Sequence, residues 1–145
     1  MLTLHSSSFS DGQEIPQRHG KRAANVSPEL SWDEAPPGTE SFALAMVDTD
    51  PVARGYVHWL VADIEPGVNE LPEGAAGGAM PRGASEVSPY AGPFPPSGTH
   101  DYELTLYALD TRRLDLPRDA SAEEFATAVT PHTIETASLV GSFTA

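Results

Sequence analysis

A mostly antiparallel β protein with two short helices near its C-terminal end is the fold class this sequence predicts, on three observations. Apolar residues gather in short runs with strand character, such as Phe42 to Val47 and Val57 to Ile64. Stretches rich in proline and glycine separate those runs and resist both helix and sheet. Helix-start signals occur only in the tail. Many strands followed by a few late helices fit an antiparallel sheet architecture.

Taken in order, Leu2 to Leu4 reads as a short edge strand. The loop after it carries a turn signal at Asp11-Gly12 and an extended one at Ile15-Pro16. Asn25 to Trp32 places apolar residues at 26, 30 and 32 around Pro28, which gives a short strand entering the turn APPGTE. Phe42 to Ile64, FALAMVDTDPVARGYVHWLVADI, holds two apolar runs joined by a polar elbow. Its first run reads as a buried strand with an exposed end, because Pro51 cannot extend a central ladder. Strand alternation points Asp48 and Asp50 one way and Thr49 the other, and places His58 with Tyr56, Leu60 and Ala62.

From Pro66 to Gly98 seven of 33 residues are proline and seven are glycine, so one long surface excursion is expected, a candidate lid or pocket wall. It ends in GPFPPSG and runs into a strand that begins with His100 and Tyr102. By the same alternation these share a face with Leu104, Leu106 and Ala108. In the tail, Ser121 to Glu124 is a capping box ahead of Phe125, Ala128 and Val129 at helical spacing. Thr130-Pro131 starts a second short helix, and Leu139 to Phe143 closes the chain as a strand.

A length of 145 residues fits one domain, 1–145, with its own core. No apolar run approaches the roughly 20 residues of a membrane span. The opening MLTLHSSSFSDG lacks the basic-then-apolar pattern of a secretory signal, so a soluble cytoplasmic protein is expected. Cysteine is absent, which removes disulfide and thiolate chemistry. Acidic residues number 21 against 8 basic ones, Lys21 being the sole lysine, and the net charge is −13. Such a chain repels nucleic acid and anionic membranes. Its acidic, lysine-poor surface suggests a host with high internal salt, where the Debye length shrinks to roughly 3 Å near 1 M.

The polar groups of the elbow and of the His100 strand carry the chemistry. If the first strand ends where the other two begin, Asp48, Asp50, His58, His100 and Tyr102 gather at one rim of one sheet. Asp-X-Asp after an apolar strand is also the pattern of aspartyl-phosphate enzymes. The residues that should follow it there are missing, since Pro51-Val52 comes next and no lysine lies downstream. A metal site built from Asp48, Asp50, His58 and His100 has irregular spacing and little to support it, and in a purely structural arrangement Asp48 caps a turn and orients a histidine. His5, His19 and His132 lack such company and read as structural or exposed. There is no GxSxG elbow, phosphate loop or dinucleotide fingerprint. What remains is a set of imidazoles, a phenol, loop N–H groups and Arg54, parts that cradle an anion rather than break a bond.

Through FSDGQEIP, NVSPELSW, PPGTESFALAMVDTDP, VHWLV, ELPEGA, YAGPFPPSGTHDYELTLYALD and LVGSF, the chain resembles the phosphatidylethanolamine-binding proteins, in their bacterial and archaeal Raf kinase inhibitor-like branch. The resemblance runs nearly end to end. It implies an antiparallel β-sandwich with short C-terminal helices and a small pocket for phosphate or phosphorylated head groups. The family's paired pocket acids fall on Asp48 and Asp50, its strand histidine on His58, and its second histidine and tyrosine on His100 and Tyr102, with Gly92 and Pro93 in the pocket wall. The pattern departs at Thr49, where the family has proline, and at Pro51, which comes one place early. Phe94 stands where relatives often carry cysteine, and Asp101 where arginine is common.

The expected function is therefore binding of a small anionic or phosphate-bearing ligand by a regulatory, non-catalytic protein with no cofactor and no metal. Asp48 would orient and charge an imidazole, His58, His100 and Tyr102 would donate to the anion, and Asp50 would hold the elbow. Two alternatives stand beside it: a weak hydrolase with a histidine general base, and an interaction module whose long loop meets a protein partner. Neither nucleic acid nor stable membrane association is expected. The resemblance adds the expectation of a homodimer.

Overall fold

Nine strands and one α-helix follow one another across residues 1–145 of the computed structural model. They are β1 (Thr3–His5), β2 (Gln13–Glu14), β3 (Leu30–Asp33), β4 (Ser41–Asp48), β5 (Val57–Ile64), β6 (Glu70–Leu71), β7 (Ser85–Ser88), β8 (Thr99–Leu109), α1 (Ala122–Val129) and β9 (Thr133–Thr144). A six-stranded sheet has the order β2-β9-β8-β4-β5-β7, and a three-stranded sheet the order β1-β3-β6. Every ladder is antiparallel except the two-residue β2–β9 pair, which is parallel. The two sheets face each other, as the expected sandwich requires.

Side-chain size along β4 decides what each face meets. Phe42, Leu44 and Met46 point into the layer between the sheets, where they pack with Leu4, Leu30, Trp32, Leu71, Trp59, Leu104 and Leu106. Ala43 and Ala45 point the other way, into a second apolar cluster with Leu60, Ala62, Leu109, Phe125 and Val129. Small side chains on that outer face leave room for α1 to lie against the sheet through Phe125 and Val129. A six-residue apolar run is thus a strand buried on both faces.

The tail forms as its signals predict, with one difference of kind. The Ser121 hydroxyl accepts the Glu124 N–H at 3.0 Å, and the Glu124 carboxylate accepts the Ser121 N–H at 2.9 Å. The second expected helix is a single 3-10 turn, Thr130–His132. β9 begins at Thr133, well before the expected Leu139, and pairs with β8 along its whole length. Its first half, TIETAS, has no buried apolar face and so gives no apolar alternation to read. The proline-rich excursion likewise holds two short strands, β6 and β7, formed by pairing to β3 and β5 rather than by local preference.

Candidate functional site

Because β4 is antiparallel to both β5 and β8, its last residue lies beside the first residues of its neighbours. Asp48 closes β4 opposite Tyr102, and His100 sits two residues earlier on β8. The His100 Nδ1 is 2.7 Å from Asp48 Oδ2, with both side chains almost fully buried. The second Asp48 oxygen accepts the Asp50 N–H at 2.9 Å. Pro51 starts a 3-10 turn, Pro51–Ala53, which Asp50 caps by accepting the Val52 N–H at 3.0 Å. Arg54 (φ 52°) and Gly55 (φ 73°) then reverse the chain through left-handed backbone. Asp50 Oδ2 lies 3.6 Å from His100 Nε2, beyond hydrogen-bond length. Two carboxylates therefore flank one imidazole, while Thr49 turns away and donates its N–H and hydroxyl to the Asp101 carbonyl.

His58 reaches the same place by a route that alternation does not give. Met46 pairs with Trp59 but Val47 pairs with Val57, so His58 is the extra residue of a β-bulge. The expectation that it shares a side with Leu60 and Ala62 is corrected here: those two face α1, and Val57 packs with them. The bulge turns His58 to the other face, where its ring stands edge-on to Tyr102 with centroids 5.0 Å apart. Its Nδ1–H donates to the Ala91 carbonyl. Burial pushes the His58 pKa below the ordinary histidine value, against the opposing pull of the Ala91 carbonyl and the Asp48 charge. The ring is neutral at pH 7, with Nε2 left as an acceptor. Asp48, expected to charge an imidazole, pairs with His100 rather than with His58.

These groups floor a pocket of about 260 Å³. Asp48, His58, His100 and Tyr102 are its polar part, and Val52, Ala53, Tyr56, Phe94, Pro95 and Pro96 form an apolar collar. Val52 and Tyr56 are 70% and 47% exposed, large apolar surfaces left at the mouth. The Tyr102 hydroxyl is buried close to the Asp48 carboxylate and makes no well-formed hydrogen bond. Burial, with the Asp48 charge beside it, pushes the Tyr102 pKa far up, so the phenol keeps its proton as a donor.

Gly92 and Pro93 stand behind this wall and do not line the pocket. The Gly92 N–H donates to Asn25 Oδ1 at 2.7 Å, and a Cβ at Gly92 would lie 2.0 Å from the His19 carbonyl oxygen. The Pro93 carbonyl accepts the Lys21 N–H at 3.1 Å. Both residues thus fasten the wall to the loop 17–26. His19, fully buried, holds that loop from inside through Val26 O at 2.7 Å and the Ser8 hydroxyl at 3.0 Å. Lys21, which no local signal assigns to the site, carries its ammonium 5.9 Å from the centroid of the Phe94 ring. No group of three His, Asp or Glu side chains is arranged to hold a metal ion. A larger hollow of about 770 Å³ at the opposite end of the sheet, near Asp63, Asp110, Arg82 and Arg112, is lined by charged and polar residues with Pro66 and Gly83 and by no large apolar side chain. The rim pocket is the better candidate because it joins buried polar groups to an apolar collar.

A family model described as phosphatidylethanolamine-binding protein matches residues 5–144. The chain is 35% identical over 157 residues to UPF0098 protein YbhB of Escherichia coli strain K12, covering 98% of this chain and 99% of that one. It is 39% identical over 147 residues to LppC of Mycobacterium tuberculosis, named as a candidate lipoprotein, covering 98% of this chain and 72% of that protein. The crystal structure of E. coli YbcL, described as a new member of the mammalian PEBP family, superposes with a TM-score of 0.92 at 27% identity. That match covers 99% of this chain and 98% of YbcL.

Proposed function

The chain belongs to the phosphatidylethanolamine-binding protein family, and from that premise we propose that its rim pocket binds a small anionic or phosphate-bearing ligand without turning it over. The observation that carries this reading is the buried Tyr102 hydroxyl at the floor of a lined pocket, a donor that makes no well-formed hydrogen bond within the protein although the Asp48 carboxylate lies beside it. Leaving such a group unpaired costs about 1–3 kcal/mol, which a seated oxyanion recovers. His100, held at Nδ1 by Asp48, turns Nε2 toward the outer part of the site. An anion in the pocket favours the imidazolium form of His58 and so turns Nε2 from acceptor into donor. Binding is then linked to proton uptake, and affinity rises as pH falls from 8 to 6. The apolar collar thins the water around the ligand and strengthens each of these contacts.

Imidazole resonances followed by NMR during titration with inorganic phosphate, phosphoethanolamine and acetate test the reading. Saturable shifts of His58 and His100 are expected, with affinity reduced about tenfold in Tyr102→Phe, the loss of one hydrogen bond to a charged group. If neither histidine responds to any of the three, the pocket is not an anion site.

One observation favours a second reading. The 2.7 Å Asp48–His100 pair is the arrangement of a carboxylate-oriented general base. No Ser, Thr or Cys side chain lines the pocket, so water would have to be the nucleophile. Ester turnover that disappears in His100→Ala, with a bell-shaped pH profile, would replace the binding reading with this one. A regulatory role, a homodimeric state and a cytoplasmic location accompany the binding reading as proposals. No helix is long and apolar enough to cross a membrane, and with a relative named as a lipoprotein, fractionation of native cells is the check on location.

A further inference from the structure

We propose that Lys21 determines the specificity of the rim pocket, placing one positive charge at its outer wall that selects doubly charged ligands, such as phosphomonoester dianions, over singly charged ones. The inference rests on the reading of that pocket as an anion site.

The charge inventory of the pocket poses the problem that Lys21 answers. Asp48 and Asp50 stand on either side of His100, the second floor imidazole, His58, is neutral before an anion binds, and no lysine or arginine lies in the lining. An imidazole that takes up a proton on binding matches one ligand charge, and a second charge is better held where a further cation faces it. Lys21 is the only lysine in a chain with 21 acidic residues, yet its ammonium forms none of the ion pairs in the structure. It stands instead over the ring of Phe94. Phe94 lines the pocket, and its ring centroid lies 5.7 Å from those of both Tyr56 and His58. One aromatic ring therefore separates the ammonium from the floor. The charge is felt across that ring, since Lys21 contributes to holding the His58 pKa down.

The backbone beneath Lys21 is fixed in several ways, which suits a positioned charge better than a loose surface one. Its N–H donates to the Pro93 carbonyl, and the Tyr90 hydroxyl donates to the His19 carbonyl at 2.9 Å. Gly92 lets the two segments approach to a distance that no side chain would permit. The flexible part of Lys21 begins only beyond this clamp, so the ammonium can leave the Phe94 face and meet an oxygen at the pocket mouth. Exchange of a cation–π contact for an ionic one at an exposed site costs little.

Methyl phosphate, a dianion at pH 8, and dimethyl phosphate, a monoanion of the same chemistry, separate a phosphomonoester from a diester of the kind found in a lipid head group. Affinities for both are measured by NMR titration of the His58 and His100 resonances in the wild type, Lys21→Met and Lys21→Arg. The wild type is expected to prefer methyl phosphate. Lys21→Met should weaken methyl phosphate by about three- to tenfold, the range for one charge about 6 Å away in a solvent-screened site. Dimethyl phosphate, with half the charge, should lose about the square root of that factor, roughly two- to threefold, and Lys21→Arg should restore the preference. Equal losses for both ligands, no loss in Lys21→Met, or a wild type that prefers the diester overturns the role of Lys21 while the anion site stands. A wild type that binds neither overturns the anion site and this inference together.

Discussion

Asp48 uses both of its carboxylate oxygens, one for His100 and one for the Asp50 N–H, and so ties β8 to the elbow after β4. Asp48→Ala leaves a buried imidazole nitrogen and a backbone donor unpaired together. The expected cost is about 3 kcal/mol in urea denaturation, the scale for breaking a buried charged pair, and Asp48→Asn should cost less because it keeps an acceptor. A loss under about 1 kcal/mol for the alanine variant would show that the pair does not hold the rim. His58 and His19 make a pH prediction. Burial lowers both pKa values in the folded chain, so below the ordinary histidine value the unfolded chain binds more protons and gains relative stability. Stability from these groups is full above pH 6.5 and is lost as pH falls from there toward their lower folded values. His58→Gln should flatten part of the stability decline between pH 7 and 5 and leave the curve near pH 8 unchanged in shape. An unaltered slope would mean that His58 is not buried in its neutral form. None of this could be read from His58 in sequence, where a histidine in an apolar strand looks the same whether it faces the core, a helix or a pocket.

At the scale of elements, irregularities aim the site and regular strands carry it. The alternation along β4 and β8 is legible residue by residue, and so are the capping box of α1 and the break at Pro51. The bulge at His58 is not, because it arises from how β4 and β5 align and not from a glycine or proline in either. The first half of β9 is likewise set by its pairing with β8. Gly141 of β9 shows how tightly the far edge is closed: a Cβ there would stand 2.5 Å from Ile15 Cγ1 and 2.7 Å from Phe9 Cε2. Gly141→Ala should cost about 1–3 kcal/mol through overpacking. Gly67→Ala, with open space around it, is the control and should fall within about 0.5 kcal/mol of the parent. Equal effects of the two substitutions would mean that the Phe9–Ile15 loop gives way without resistance.

Over the whole molecule, a net charge of −13 on 145 residues favours expansion through self-repulsion. Raising KCl from 0.1 to 1 M shortens the Debye length from about 10 Å to about 3 Å and removes most of that repulsion. A gain of about 1 kcal/mol, or about 3 °C in Tm for a chain of this size, is expected. Equal stability at the two salt concentrations would remove the case for adaptation to high internal salt. Composition, strand period, turn residues and helix caps act over a few neighbouring positions, so the chain order alone determined a mostly β domain with late helical turns. The same local information marked the polar residues at the ends of β4 and β8 as those of interest. Only tertiary structure decided that Asp48 serves His100, that a bulge brings His58 to the pocket, that Gly92 and Pro93 stand behind its wall, and that Lys21 lies across Phe94 from the floor. Those contacts join segments dozens of residues apart, and their geometry depends on strand register and loop docking, which no short stretch of sequence encodes.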